Sequence, residues 1–439
     1  MTDLIPEVIS EAIAALWRRR GPRPDNSFET PEFLGLKEAC ATSYSVGAGL
    51  WFTTSLWHIL KSLGCPMLLP TDKQALSLTA EQAAKGLHIA LTTTTARIVH
   101  LCPLDWADDP PPVDFGSSRL SRFSSSELMT ILDAPRLTRT FPNAQPDWER
   151  LSEFYWLVVE ETLPIAGEPG ARTSPFMYEI NRDYGAITAH EDRFPPAVEQ
   201  ALFLLLLAPW EDWSQAQEVD WRGFRIPWVY SVNDDLCVPL KPPPLDSSLT
   251  WLPYTYFDAY GESAEEVEIP ARFSLADEAS ELPIYVNDGT WADIACAFKS
   301  PLFETPIRHF LVRAYHSTGI DEFIAHLTVL EAALGLQSDY GGKPASDPRK
   351  GRRVTQIMMG RVAALLDDLA AGTEFEALFN LRSAYVHGRP MAPISSADRF
   401  RARRLARRVV AALIGQALGR AGRSPVDREV FLVDLVQRS

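Results

Sequence analysis

Cysteine is scarce and scattered in this 439-residue chain. Cys40, Cys65, Cys102, Cys237 and Cys296 form no Cys-x-x-Cys pair and no zinc-site spacing. That argues against a disulfide framework or a metal-stapled fold, and it fits a reducing cytoplasm. Long apolar runs are missing too. The longest, Ala201 to Ala208 in "ALFLLLLAPW", stops at Pro209, well short of the roughly 20 residues that cross a bilayer. It predicts a buried core helix, so no membrane partner is expected. The opening "MTDLIPEVISEAIAALWRRR" places acids before its apolar stretch and arginines after it, the reverse of a secretory signal. Glycine fingerprints are also absent: "SVGAGLWF" around Gly47 and Gly49 lacks the third glycine of a dinucleotide loop, and "GGKP" at Gly341 to Pro344 lacks the first glycine and the Ser/Thr of a phosphate loop. "HED" at His190 to Asp192 cannot turn three adjacent side chains to one ion on a regular element, so it reads as a solvated loop. Neither a metal nor a cofactor is expected.

What is present is an ordinary globular composition, 46% hydrophobic and 23% charged, in a chain long enough for two or three cores. The formal charge of −15 conceals a division. Residues 301–439 hold 20 Lys+Arg against 14 Asp+Glu, so the first 300 residues carry nearly all of the acidic excess. The last tryptophan is Trp291 and the last cysteine Cys296, which places the expected domain boundary near residue 300. A basic C-terminal part permits a polyanion such as RNA, while the acidic part can shield it or receive a protein regulator.

Residues 1–295 read as α+β. "EVISEAIAALWRR" and "PPAVEQALFLLLLA" have helical periodicity, and "FRIPWVYSV" and "LCVPL" read as strands paired around Asn233 to Asp235. "VPLKPPPLDSS" and "GESAEEVEIP" read as loops or the edges of a substructure. Residues 300–439 read as an all-α bundle. Phe303, Ile307, Phe310 and Leu311 form one stripe; Phe323, Leu327, Leu330 and Leu334 form a second, stopped by Gly335. Further helices follow in "RRVTQIMMGRVAALLDDLA", in "FEALFNLRSAYVHG" and in the arginine-rich stretch from Ser396.

The helix ending at Gly388 carries Arg382 and His387, five residues and about 140° apart on an ideal helix. They share a site only if the last turn opens or if two chains contribute. An imidazole can move the proton of an RNA 2′-hydroxyl or protonate the departing 5′-oxygen, while a guanidinium steadies the phosphorane oxygens. Capping of the exposed helix carbonyls is the alternative role for both.

"LFNLRSAYVHG" resembles the Arg-x4-6-His motif of HEPN domains, in particular their Apea-like branch. "RHFLVRAYHSTGIDEFIAHLTVLEAALG" and "GRRVTQIMMGRVAALL" resemble that branch's preceding helices, so the likeness spans roughly residues 300–420. It implies a homodimeric helical bundle that cuts RNA without metal, with Arg382 and His387 as the catalytic pair, in a protein of the toxin or antiviral-defence kind. Where active members often carry Asn, Asp or His, this chain has Ser383, whose hydroxyl can still bond phosphate. That departure keeps open a catalytically silent module that dimerises and binds RNA, nucleotide or a partner. Tyr385 can stack on a base or simply pack, and Glu331 can orient Arg382 from the neighbouring helix or stand exposed. In "RFRARRLARR", Arg399, Arg403 and Arg407 are candidates to track RNA phosphates, with pairing to N-terminal acids or a solvated basic face as the alternatives.

Overall fold

The computed structural model describes residues 4–22, 24–44, 49–165, 194–215, 222–243, 245–257, 264–391, 393–419 and 427–438. The chain is mixed α+β and rich in helix. Four helices open it: α1 (Glu7–Arg18), α2 (Pro31–Tyr44), α3 (Leu50–Ser62) and α4 (Ala80–Thr92). Apolar positions at helical spacing, Ile9, Ile13, Leu16 and Trp17 on α1, close with Phe33, Leu36, Leu56 and Leu87 into a core of their own. Thr79 and Gln82 form a reciprocal capping box that sets the start of α4.

An antiparallel sheet follows. Its strands are β1 (Thr95–Leu104), β2 (Val113–Phe115), β3 (Ser118–Arg122), β4 (Tyr155–Pro164) and β5 (Tyr230–Asn233), in the order β2-β3-β4-β1-β5. Strand alternation gives each face its own core. Leu157 and Val159 of β4, with Cys102 and Leu104 of β1, point to one side. Trp156, Val158, Val99 and Leu101 point to the other, against α5 (Ser125–Ile131), α6 (Ala134–Thr140) and α7 (Trp148–Ser152).

The expected hairpin around Asn233 to Asp235 is corrected. β5 pairs with β1, Ile98 opposite Asn233 and Leu101 opposite Tyr230, and "LCVPL" forms no strand. Asp235 turns the chain by accepting the Cys237 amide, and the prolines beyond cannot donate to a ladder. "GESAEEVEIP" is corrected as well: its described part is β7 (Ala264–Pro270), paired with β6 (Trp251–Phe257) in an exposed two-stranded ribbon. "HED" and Gly47 lie outside the described residues, and Gly49 caps α3.

The apolar run becomes helix α8 (Pro196–Leu205), buried along nearly its whole length, as the sequence predicts. After α9 (Trp210–Trp213), α10 (Leu282–Tyr285) and α11 (Asp288–Ala297) come the helices α12 (Ile307–His316), α13 (Gly319–Leu334), α14 (Val354–Leu366), α15 (Leu369–Val386), α16 (Ser396–Gly419) and α17 (Arg428–Arg438). Beyond residue 300 the described residues hold no strand. Phe323, Leu327, Leu330 and Leu334 are fully buried, as their stripe predicts. Gly335 ends α13 in extended backbone rather than by a left-handed turn; a Cβ there would lie 2.5 Å from the Glu331 carbonyl oxygen.

The compositional change at residue 300 is not a break in packing. A single continuous apolar core runs from Cys102 and Leu157 of the sheet through α8 into α12, α13, α15, α16 and α17. Glu199 of α8 meets His309 Nδ1 at 3.0 Å and Arg308 at 3.3 Å on α12. Among the described residues, no helix is long and apolar enough to cross a membrane.

Candidate functional site at the end of α15

The turn between α14 and α15 sets the direction of the motif helix. Asp367 adopts a left-handed conformation (φ 50°) to end α14, and Asp368 caps α15 by accepting the amides of Ala370 and Ala371. Gly372 lets α15 approach α14 closely, since a Cβ there would lie 2.8 Å from the Met359 carbonyl oxygen. Phe375 and Leu378 anchor the helix in the core, with Phe379 partly buried beside them.

At its far end α15 closes in a Schellman turn. Gly388 is left-handed (φ 60°), its amide bonding Tyr385 O at 3.0 Å, while the Arg389 amide bonds Ala384 O at 2.9 Å. His387 is the C-cap, its amide bonding Ser383 O at 3.1 Å. Tyr385, Val386 and His387 are consecutive and exposed, so the helix presents its last turn to solvent.

Arg382, one and a half turns back, is half-buried. Its Nη1 lies 3.5 Å from Glu331 Oε1, an ion pair too long for a strong hydrogen bond. Burial pushes the Glu331 carboxyl up from its ordinary value, and the neighbouring guanidinium pulls it back down. The Arg382 guanidinium also sits 5.5 Å from the Phe379 ring, and its buried Nε has no hydrogen-bond partner among the described residues. Glu331 thus reaches Arg382 from α13. No hydrogen bond or ion pair among the described residues joins Arg382 to His387.

The arginine-rich helix α16 is neutralised within the chain. Arg399 donates through Nε to Glu322 at 3.0 Å, and Arg403 does so at 3.2 Å. Arg407 pairs with Glu211 at 2.6 Å and Asp212 at 2.8 Å, and Arg404 with Asp212 at 3.4 Å. Arg401 pairs with Asp398, and Arg408 with Asp368. Arg403 is buried at 6% exposure. The i, i+4 spacing of Arg399, Arg403 and Arg407 puts them on one face, and that face turns inward, so these three are committed to carboxylates in this conformation.

Glu322 is the residue that sequence reading missed. It is fully buried and also accepts from Arg222 at 3.2 Å. Its only sequence signal was a carboxylate one position before the core residue Phe323, four residues ahead of the equally buried His326. Among the described residues, no group of three or more His, Cys, Asp or Glu side chains is placed to hold a metal ion. The chain matches no family model, no curated protein and no solved structure.

Proposed function

We propose that the end of α15 is the catalytic element of an RNA endonuclease that works without metal, as a pair of chains in which Arg382 and His387 from two protomers flank one phosphate. The observation that carries this reading is the placement of the motif. His387 is exposed on a helix cap held by a Schellman turn, and Arg382 is held one and a half turns back by Glu331. Their five-residue spacing sets them about 140° apart on an ideal helix, so a two-fold pairing of α15 ends is the simplest way to bring them to a common phosphate. Exposed Val386 supplies apolar surface there.

In this mechanism one imidazole takes the 2′-hydroxyl proton as the 2′-oxygen attacks phosphorus. The P–O5′ bond then breaks, and the imidazolium so formed gives its proton to the 5′-oxygen. The products are a 2′,3′-cyclic phosphate and a 5′-hydroxyl. Arg382 stabilises the charge on the phosphorane oxygens, and Ser383, on the same turn, supplies a hydroxyl for phosphate. A toxin or defence effector is the biological role this chemistry suits.

The test is cleavage of RNA in EDTA by wild type, by His387→Ala, and by a mixture of Arg382→Ala and His387→Ala chains. His387→Ala is expected to lose about 10² to 10⁴ in rate while keeping its fold. The mixture is expected to recover part of the activity, because hybrid pairs contain one intact site. If RNA is bound but never cut, the catalytically silent module replaces this reading; if magnesium is required, the chemistry proposed here is wrong.

A further inference from the structure

Beside the exposed turn of α15 lies a cleft of about 430 Å3, lined by Ile320, Tyr385, Met391, Pro393, Ile394 and Arg399. Gly319 forms part of its rim, and its left-handed backbone (φ 59°) starts α13 without a side chain standing over the opening. The walls are apolar, with one aromatic ring and one guanidinium. Tyr385 is 47% exposed, and its hydroxyl bonds no described residue. Arg399 is held in place by Glu322 through Nε at 3.0 Å, which fixes the orientation of its planar group at the cleft wall.

We propose that this cleft is a nucleobase subsite for single-stranded RNA, taking the base of a nucleotide next to the one whose phosphate is cut. The proposal rests on the reading of the α15 end as an RNA-cleaving site and names how that site holds its substrate. Three features select a base over other ligands. The size suits one nucleoside, since ligand clefts start at about 300 Å3. Tyr385 offers a flat face for stacking, and Ile320, Met391, Pro393 and Ile394 line the open cleft beside it with apolar surface. Arg399, its guanidinium paired with Glu322, gives the cleft one polar wall beside the base. Tyr385 also stands two residues before His387 on the same exposed turn, its carbonyl accepting from the His387 and Gly388 amides. In this proposal a base stacked on Tyr385 brings the adjoining sugar-phosphate to the turn that carries His387. Single-stranded RNA can offer its base in this way; a duplex cannot without unstacking.

The experiment uses the full chain and a single-stranded RNA oligonucleotide that it cuts, remade with one abasic residue at each position around the cleavage site. One position is expected at which loss of the base raises KM about tenfold with little change in kcat. Tyr385→Ala is expected to raise KM for the intact RNA by the same factor and to add nothing on the RNA abasic at that position. Tyr385→Phe, which keeps the ring, is expected to stay within about twofold of wild type. A merely structural Tyr385 would show additive effects on the abasic RNA. Additive effects, or no change in KM from Tyr385→Ala while cleavage still depends on His387, would overturn the subsite and leave the cleavage reading intact. Absence of RNA cleavage, or cleavage indifferent to His387, would overturn the cleavage reading and the subsite with it.

Discussion

His326 lies on α13, fully buried, with Nδ1 hydrogen-bonded to the Glu322 carbonyl at 2.9 Å and Nε2 without a partner. Burial lowers its pKa to about 4; the Glu322 carboxylate opposes the shift, and the Arg403 and Arg222 guanidiniums reinforce it. The folded value lies below the ordinary 6.5, so between those limits the unfolded chain binds a proton that the folded chain refuses. Stability therefore falls as pH falls through that window, and the contribution vanishes above it, where both states are neutral. Thermal midpoints measured from pH 7.5 to 5 are expected to drop more steeply for wild type than for His326→Leu, which cannot titrate. Equal slopes would show that acid lability comes from other groups.

α13, α14 and α17 are joined at one buried guanidinium. Arg361 of α14 is fully buried and donates to Leu334 O at 2.8 Å, to Leu432 O at 3.0 Å and to Asp339 at 2.9 Å. Asp339 also accepts from Arg349 at 3.0 Å and from the Leu336 amide at 2.9 Å. Its carboxyl is held below the ordinary range because these donors outweigh the opposing effect of burial. Removing one member of such a pair leaves an uncompensated buried charge, which typically costs about 3 to 5 kcal/mol. Asp339→Ala is expected to lose that much in urea unfolding, and Asp339→Asn less, since its amide oxygen still accepts. A loss comparable to that of an exposed pair, under about 1 kcal/mol, would mean that water reaches Arg361.

Across the whole molecule, acidic and basic parts are bound by charge as well as by apolar surface. Arg407 and Arg404 of α16 meet Glu211 and Asp212, and Arg222 meets Glu322 across the compositional boundary. A division of charge was legible in the sequence, but the Arg222–Glu322 and Arg407–Glu211 contacts are buried, beside an apolar core that crosses the same boundary. Deleting residues 1–295 would remove α8, against which α12 packs, and with it part of the apolar core that Leu311 and Val312 share. The truncated chain is therefore expected to aggregate or to bind a hydrophobic dye without a cooperative melt. A soluble fragment melting cooperatively near the full chain's midpoint would restore two independent domains.

Local pattern by itself determined α13, because a stripe of Phe323, Leu327, Leu330 and Leu334 can be buried only one way on a 3.6-residue turn, whereas Phe303 of the preceding stripe falls in a 3-10 turn before α12. It also determined the end of α15: Gly388 alone in that stretch takes a left-handed conformation without strain, and Pro390 follows. Partnership was not legible. Arg399, Arg403 and Arg407 look the same in sequence whether they face phosphate or carboxylate, and their partners Glu322, Glu211 and Asp212 lie 77 to 196 residues away. β5 likewise chose β1, about 130 residues distant, over its sequence neighbour. Hydrophobic periodicity is a property of one element and survives in the linear chain. Ion pairing, strand pairing and a shared core are properties of two elements, and only the folded chain brings them within reach.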